Sequence, residues 1–561
     1  MKKNWLKFLI FGALITVLAM GGVALRPGVA SAQETSTTTS KVYRDYVDAM
    51  ELIKANYVED ATYENLTKSA VQGMLRTLDP HSNFFDKKSF DEMRQEQRSQ
   101  YFGIGAVIRP YNGKVYIIEP YEDTPAARAG LRYGDQIAEV DGKNADNWNS
   151  DQVRDHLRGP QGTKVKVTVR RAGVAEPLTF TIERDAVALP SILDAYMVRP
   201  GMGYVNMGFS VSGRTSGAGF HSTTADELTA AVALLKEQGM SSMVLDLRNN
   251  PGGLLDQAIR VCDKFLQRGQ TVLSVRSRDG RLPDRDFQAD SGSPETFPLV
   301  VLINGGSASA SEIVAGAIQD HDRGLIIGEN SFGKGLVQTI FPLSGGAGLT
   351  LTTARYYTPS GRLIQRDYSN GSFYDYILKR NGKGDTTGDK PKGEEKQTDL
   401  GRKVFGGGGI EPDIKVADTT TQTNAQFYIS QGMFFFVREL LAGNVAAAPE
   451  FKTKGLEFNH KLKPNEFQVT DEILKSYREF MAKWIADNPK WRVTKAMVED
   501  NIVWARKQIR YEVLLARYGS SIAQRGIADL DAQLQRAVSE LPAAAELTEK
   551  ARRTRTSMRN N

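Results

Sequence analysis

Apolar residues recur along this chain with two different periods, and the places where the period changes divide it into blocks. From Val42 the spacing of Tyr46, Met50, Ile53 and Tyr57 is helical, after a short Thr/Ser stretch at Thr35–Ser40. A second helix is predicted from Tyr63 to Leu78, ending in Leu78-Asp79-Pro80-His81-Ser82 because proline disfavours the helical conformation just before it. These helices make a small cap, residues 40–95. From Gln100 the pattern shifts to short strands punctuated by glycine: Gly103–Val107, Val115–Ile118 and Ile137–Val140, with a short helix at Pro125–Ala129. Alternation returns in Val165, Val167 and Val169, and again in Leu178, Phe180 and Ile182, so residues 96–186 read as a compact, mostly β module.

From about Pro190 to Asp418 strands alternate with helices. The strands are Gly203–Met207, Met243–Leu247, Leu299–Ile303 and Gly324–Ile327; the helices are Ala225–Glu237, Leu255–Phe265 and Ser309–Gln319. That order implies α/β layers around a partly parallel sheet, taken as a core over 190–418. Within it, residues 368–409 are polar and Gly/Lys-rich and read as a surface loop. Beyond Thr420 the pattern is helical to the end, with apolar positions at Phe434, Phe435, Phe436, Leu440 and Leu441, giving a helical region over 420–561. The fold class is therefore α/β multidomain, and 561 residues are too many for one core.

Composition narrows the function. With 40% apolar and 25% charged residues and a net charge of +6, the chain is an ordinary globular protein. Its basic tail (Arg552, Arg553, Arg555, Arg559) lacks interleaved aromatics, so no nucleic acid is expected as a partner. The single cysteine, Cys262, sits in an apolar pattern and reads as a buried thiol. The five histidines (His81, His156, His221, His321, His460) are scattered, which argues against a zinc hydrolase; no metal or cofactor is expected. Lys2, Lys3 and Lys7 precede an apolar run from Phe8 to Leu25 and an Ala-x-Ala pattern at Ala30–Ala32. That is the form of an export signal over residues 1–32, and its length leaves both cleavage and retention as a membrane anchor open.

Three segments carry chemistry. Val301 to Glu312 runs from a buried strand through Gly305-Gly306-Ser307-Ala308-Ser309 into a helix, a geometry that raises a side chain at the turn beside helical N–H groups. Serine is also a favoured helix cap, so this segment alone is ambiguous. Downstream, Lys334 lies between Gly333 and Gly335 in an apolar strand. Burial disfavours an ammonium ion, and such a lysine can act as a general base. Gln338 shares its strand face by the period of two and can orient the amine. Third, Arg248-Asn249-Asn250-Pro251-Gly252-Gly253 closes a strand and opens a helix, and Gly252 or Gly253 can bring a backbone N–H to an oxyanion.

Together these segments resemble the carboxyl-terminal processing proteases, or tail-specific proteases, of the serine-lysine peptidase class. The resemblance spans residue 42 to about 418 and rests on residues 306–312, 333–335, 248–253 and on Leu351–Gly361, together with the spacing from Ser309 to Lys334. It implies an α/β layered, crotonase/ClpP-like core with an inserted PDZ-like module. It further implies Ser309 as nucleophile, Lys334 as base, Gln338 as its orienter, Gly252 and Ala310 as oxyanion donors, and Ser307 and Ser311 as helix-start residues. Phe102-Gly103-Ile104-Gly105 looks like the carboxylate-binding loop of a PDZ domain, which captures a free C-terminus and adds its peptide as a strand. Family members couple that module to the active site through an arginine, for which Arg171 and Arg170 are the positions here. Ser210–Gly219 departs from the pattern as an extra Gly/Ser loop, and the chain after Thr420 lies outside it.

The resulting expectation is an exported endopeptidase, periplasmic or otherwise in the cell envelope. Its substrates are proteins with flexible apolar C-termini, and it is expected to be a homo-oligomer with membrane association through the N-terminus. A peptide-binding adaptor without turnover is the second reading, which the intact Ser309 and Lys334 oppose. An acyl-CoA enzyme of the crotonase type is the third, and it calls for no PDZ-like module.

Overall fold

The computed structural model describes residues 34–98, 100–208, 219–278, 283–368, 393–418, 422–463 and 465–560. The apolar run Phe8–Leu25, the pattern at Ala30–Ala32 and most of the Ser210–Gly219 loop lie outside these residues. Among the described residues no helix is long and apolar enough to cross a membrane.

The chain forms two units, Met1–Thr77 and Leu78–Asn561. In the first, the helices run Glu34–Asn56 and Tyr63–Arg76. The earlier one begins before Val42, taking in the Thr/Ser stretch: Glu34 stands at its N-terminus, where a carboxylate favours the helix dipole, and extension from an existing turn is cheaper than nucleation. Thr62 caps the later one, its Oγ1 accepting from the Asn65 N–H at 3.2 Å.

The second unit contains the β module. Its antiparallel strands are Ala106–Tyr111, Lys114–Pro120, Gln136–Val140, Lys164–Arg170 and Leu178–Glu183, in that order across the sheet. The alternation of Val165, Val167 and Val169 puts all three in the module core. Gln100–Gly103 pairs with Asp185–Ala188, so the chain enters and leaves the module through one two-stranded stalk. A helix at Ser150–Leu157, not anticipated from the sequence, covers one side. Only Val153 and Leu157 mark its buried face, too few to show a period. Its available signal is the capping box formed by Asn149 and Gln152.

The α/β core is a six-stranded sheet in the order Asp194–Arg199, Met202–Asn206, Ser242–Asp246, Leu299–Ile303, Leu325–Gly328, Ile414–Lys415. Every pairing is parallel except the first. Leu299, Val301 and Ile303 face the helices Thr224–Glu237, Leu255–Cys262 and Ala310–Asp320, among which Cys262 is fully buried. Val300 and Leu302 face the other way, onto Leu534, Ala537, Val538, Leu541 and Ala544. The 190–418 core is therefore not closed by its own residues: helices Ala532–Ser539 and Leu541–Asn560 of the C-terminal region form its second layer. Earlier in that region, Phe434 of helix Asn424–Ala442 stacks on Tyr111 of the β module at 3.8 Å and 3°.

A second antiparallel sheet joins Asn83–Phe85, Leu336–Pro342, Gly348–Tyr357, Thr271–Ser277 and Arg285–Gln288. Of the stretch expected as a polar loop, 369–392 lies outside the described residues, but Glu395–Gln397 and Lys403–Phe405 pair as a hairpin. Its polarity conceals buried ion pairs: Arg402 binds Asp322 and Asp413, each at 2.6 Å, while Val404 is buried beside them.

Candidate active site

Ser309 stands where strand Leu299–Ile303 hands over to helix Ala310–Asp320, every residue of which is buried. Its backbone lies at φ 54° and ψ −114°, a conformation that a residue with a Cβ adopts only when the surroundings enforce it. The Ala310 N–H, first in the helix, has no acceptor within it and points out of the helix start beside Ser309. Against this corner lies Gly252, at φ +89°. A Cβ there would stand 2.5 Å from Ala308 O, 2.7 Å from Ala310 N and 2.8 Å from Ser309 Cβ. Gly252→Ala is therefore expected to lower the activity of the site by roughly 100-fold, because the turn must retreat from Ser309. A steady-state assay on the folded variant checks this.

The turn is stitched to the serine segment by the two serines expected only to start a helix. Ser307 Oγ donates to Leu247 O at 2.8 Å and Ser311 Oγ to Asn250 O at 2.9 Å. The Ala308 N–H also donates to Asn250 O, at 3.0 Å. The Gly252 N–H, expected as an oxyanion donor, is held in this conformation by Asn250 Oδ1, to which it donates at 2.9 Å. The Asn250 amide is itself anchored, Nδ2 donating to Met207 O.

Lys334 approaches from the other sheet. It lies just before strand Leu336–Pro342 rather than within it, and a bulge follows at Val337/Gln338. Its Nζ nonetheless donates to Gln338 Oε1 at 3.0 Å. Gln338 Nε2 donates to His81 O, which fixes the amide so that its oxygen meets the amine. Burial pushes the Lys334 ammonium below the ordinary lysine range, against the opposing charges of Glu312 and Asp79. Burial, and then the charge of Lys334, lower His81 to about 4, so this ring is neutral at physiological pH and adds no competing cation. Asp79 shapes the His81 turn by accepting from the N–H groups of His81 at 2.7 Å and Ser82 at 2.8 Å.

Ser309 and Lys334 are joined through Glu312, a fully buried residue one helical turn after the serine. Its Oε2 accepts from the Ser309 N–H at 2.8 Å and the Lys334 N–H at 2.9 Å, so one oxygen bridges the two backbones. Its Oε1 accepts from the Gly333 N–H at 2.6 Å and from Ser331 Oγ. Burial raises its pKa while these four donors oppose the rise. All four partners donate, and the ionised carboxylate is the form that accepts at both oxygens. Among the described residues Ser309 Oγ and Lys334 Nζ are not hydrogen-bonded to one another.

Comparison with known proteins gives this geometry a family. A model described as peptidase family S41 matches residues 204–372, one described as a PDZ domain matches 116–171, and one described as the activating protease CtpB N-terminal domain matches 23–89. The chain is 39% identical to the carboxy-terminal-processing protease of Bartonella bacilliformis, over 62% of its own length and 80% of the relative's. It is 33% identical to the carboxy-terminal processing protease CtpA of Bacillus subtilis, over 64% and 75%. The chain is a carboxy-terminal-processing protease of peptidase family S41.

The peptidase match includes Ser309, Glu312, Lys334, Gln338 and the Asn249–Gly253 turn, whereas the protease's C-terminal helices lie beyond all three matches. In its PDZ domain, Phe102 and Gly103 belong to the stalk, paired with Ala186 and Asp185. Ile104 is buried in the domain core, and Gly105, at φ +77°, turns the chain into Ala106–Tyr111. That strand is the sheet edge, bonded among the described residues only to Lys114–Pro120, with helix Ser150–Leu157 alongside. An edge strand beside a helix is what an added peptide strand requires.

The two arginines expected to couple this domain to the active site are engaged inside it. Arg171 grips the buried Asp135 through two 2.8 Å bonds and also donates to Gly130 O, while Arg170 pairs with Asp146 at the surface. In this conformation the links out of the domain run through other residues: Glu119 Oε1 accepts from the Ser520 N–H at 2.7 Å, and Tyr133 donates to Glu512 at 2.9 Å. The sequence reading gave no role to Glu312 or His81. For Glu312 the signal was present, since Ser309 and Glu312 have the spacing of a capping box, which reads equally as plain helix chemistry.

Proposed function

We propose that this protease is exported and hydrolyses peptide bonds in proteins with flexible apolar C-termini, by an acyl-enzyme mechanism in which Ser309 is nucleophile and Lys334 base. The neutral Lys334 amine takes the proton as Ser309 Oγ attacks the carbonyl carbon. The tetrahedral oxyanion is met by the Ala310 N–H and by the Gly252 N–H once Asn250 Oδ1 releases it. The Lys334 ammonium then protonates the departing amine, and water repeats the sequence to free Ser309. Gln338 keeps the amine aimed throughout. The observation that carries the reading is the buried Lys334, aimed by Gln338 and tied through Glu312 to the backbone of Ser309. Export is supported by Lys2, Lys3, Lys7, the run Phe8–Leu25 and Ala30–Ala32.

The PDZ domain would select substrates by their free carboxylate. Cleavage of an unfolded protein ending in apolar residues is expected from the parent and not from a folded Ser309→Ala variant. Amidating that C-terminus should slow the parent markedly. Equal rates on free and amidated tails would remove the PDZ domain from the reading, and turnover by Ser309→Ala would remove the nucleophile.

A further inference from the structure

The turn that faces Ser309 is entered through Arg248, and Arg248 is held by residues nearly three hundred positions downstream. Its side chain is buried, and all five of its N–H groups have acceptors. Nε and Nη2 donate to the Asp246 carboxylate. Nη2 also donates to Asp531 Oδ2 at 2.7 Å, and Nη1 donates to Asp531 Oδ1 at 3.1 Å and to Gln533 Oε1 at 3.0 Å. Asp246 is steadied in turn by Tyr204, whose hydroxyl donates to Oδ2 at 2.8 Å.

Asp246 and Arg248 belong to the matched peptidase segment, but Asp531 and Gln533 come from the C-terminal helices, outside the three family-model matches. Their own placement is rigid. Asp531 Oδ1 accepts from the Leu534 N–H at 3.1 Å, capping helix Ala532–Ser539. Gln533 Nε2 donates to Val416 O at 2.8 Å. Leu534, Ala537 and Val538 of the same helix pack against Val244, Val300 and Leu302 of the central sheet. The next residue after Arg248 is Asn249, at φ +58°, and the turn then runs through Asn250 to Gly252 against Ser309.

We propose that Asp531, assisted by Gln533, is a positioning residue for the peptidase reaction: it fixes Arg248, and through it the Asn249–Gly253 turn, at the separation from Ser309 that the oxyanion needs. Asp246 can engage only one edge of the guanidinium. Without Asp531 the buried Nη1 group keeps a single neutral acceptor, and a buried guanidinium short of an acceptor favours a shifted position of the arginine. A shift of about 1 Å in the turn costs on the order of 100-fold in rate without touching the substrate's binding elsewhere. The C-terminal helices thereby become part of the active-site scaffold. This inference rests on the Ser309 reading above.

The test compares the purified full chain with Asp531→Ala, Asp531→Asn, Asp531→Glu, Gln533→Ala and Ser309→Ala. It measures kcat, KM, affinity for an apolar tail peptide, and affinity for a peptide boronic acid, whose tetrahedral adduct places an oxygen where the oxyanion forms. Asp531→Ala and Asp531→Asn are expected to lower kcat about 10- to 100-fold and to weaken the boronate in parallel, with KM and tail affinity within about twofold. Gln533→Ala should do the same more weakly, and Asp531→Glu should recover part of the loss. Should Asp531→Ala not fold, the near-isosteric Asp531→Asn supplies the result. Parent-like kcat and boronate affinity in a folded Asp531→Asn overturn the proposal, as does a change confined to thermal stability or KM. Turnover by Ser309→Ala would instead sink the nucleophile assignment, so the two failures are told apart.

Discussion

Lys334→Ala is expected to lower kcat by about 10,000-fold or more on any tail-bearing substrate while leaving the chain folded, because it removes the proposed base. The fold should survive: Lys334 contributes its backbone N–H to Glu312, which alanine retains, and its side chain contributes one hydrogen bond to Gln338. Lys334→Arg separates base chemistry from charge. A guanidinium keeps the positive charge and cannot be deprotonated in proteins, so this variant should be as inactive as alanine. The parent's pH profile carries the same information. In the proposed mechanism Lys334 works as the neutral amine, so kcat/KM should rise with pH as the ammonium loses its proton. Because burial depresses that pKa, the plateau should be reached below the range of an ordinary lysine, about 10.4. Steady-state kinetics across pH on the three proteins check both points. Full activity in Lys334→Arg would contradict the assignment.

The second large effect is expected at Glu312. Glu312→Gln preserves size but turns one acceptor oxygen into an NH2 donor. Whichever way the amide settles, it points donors at two of the four groups Glu312 accepts from: either the Ser309 and Lys334 N–H groups, or the Gly333 N–H and the Ser331 hydroxyl. Buried donors facing donors cost about 1–3 kcal/mol each, so a stability loss of roughly 2–5 kcal/mol is expected. The Ser331 hydroxyl, which already accepts from the Ile410 N–H, can rotate to relieve part of this. Activity should fall by about 100- to 1,000-fold beyond any loss of folded protein, since either orientation breaks two of the four bonds that hold the Ser309 corner against the Ser331–Lys334 segment. Denaturant unfolding and single-turnover rates, each normalised to folded protein, measure the two parts. A Glu312→Gln variant with parent-like turnover would show that the intact carboxylate is dispensable.

Local chemistry was more legible in the sequence than long-range packing. The corner at Ser309 could be read because strand, small residues and helix follow one another directly. Gln338 was found by a period-two argument that does not strictly apply, since Lys334 precedes the strand; the bulge at Val337/Gln338 restores the meeting. The Gly252 N–H was expected to be free, but no pattern of residue types reveals that Asn250 folds back onto it. The least legible feature was the second face of the central sheet. An apolar strand such as Leu299–Ile303 announces burial on both sides, yet nothing in it says that its cover comes from Leu534 to Ala544. An amphipathic stripe shows that a helix packs, but not against what. The same limit hid the Arg248–Asp531 pair and the use of the His81 carbonyl to aim Gln338.

The central claim is that Ser309 becomes a nucleophile because Lys334 is a neutral amine. Its most direct test is covalent labelling of the full chain with a fluorophosphonate across a pH series, with the modified residue located by peptide mass spectrometry. A single adduct on Ser309 is expected, with a labelling rate that rises with pH to a plateau below the ordinary lysine range and almost no labelling in folded Lys334→Ala. An adduct on a different residue, or Ser309 labelling that proceeds equally well without Lys334, would contradict it.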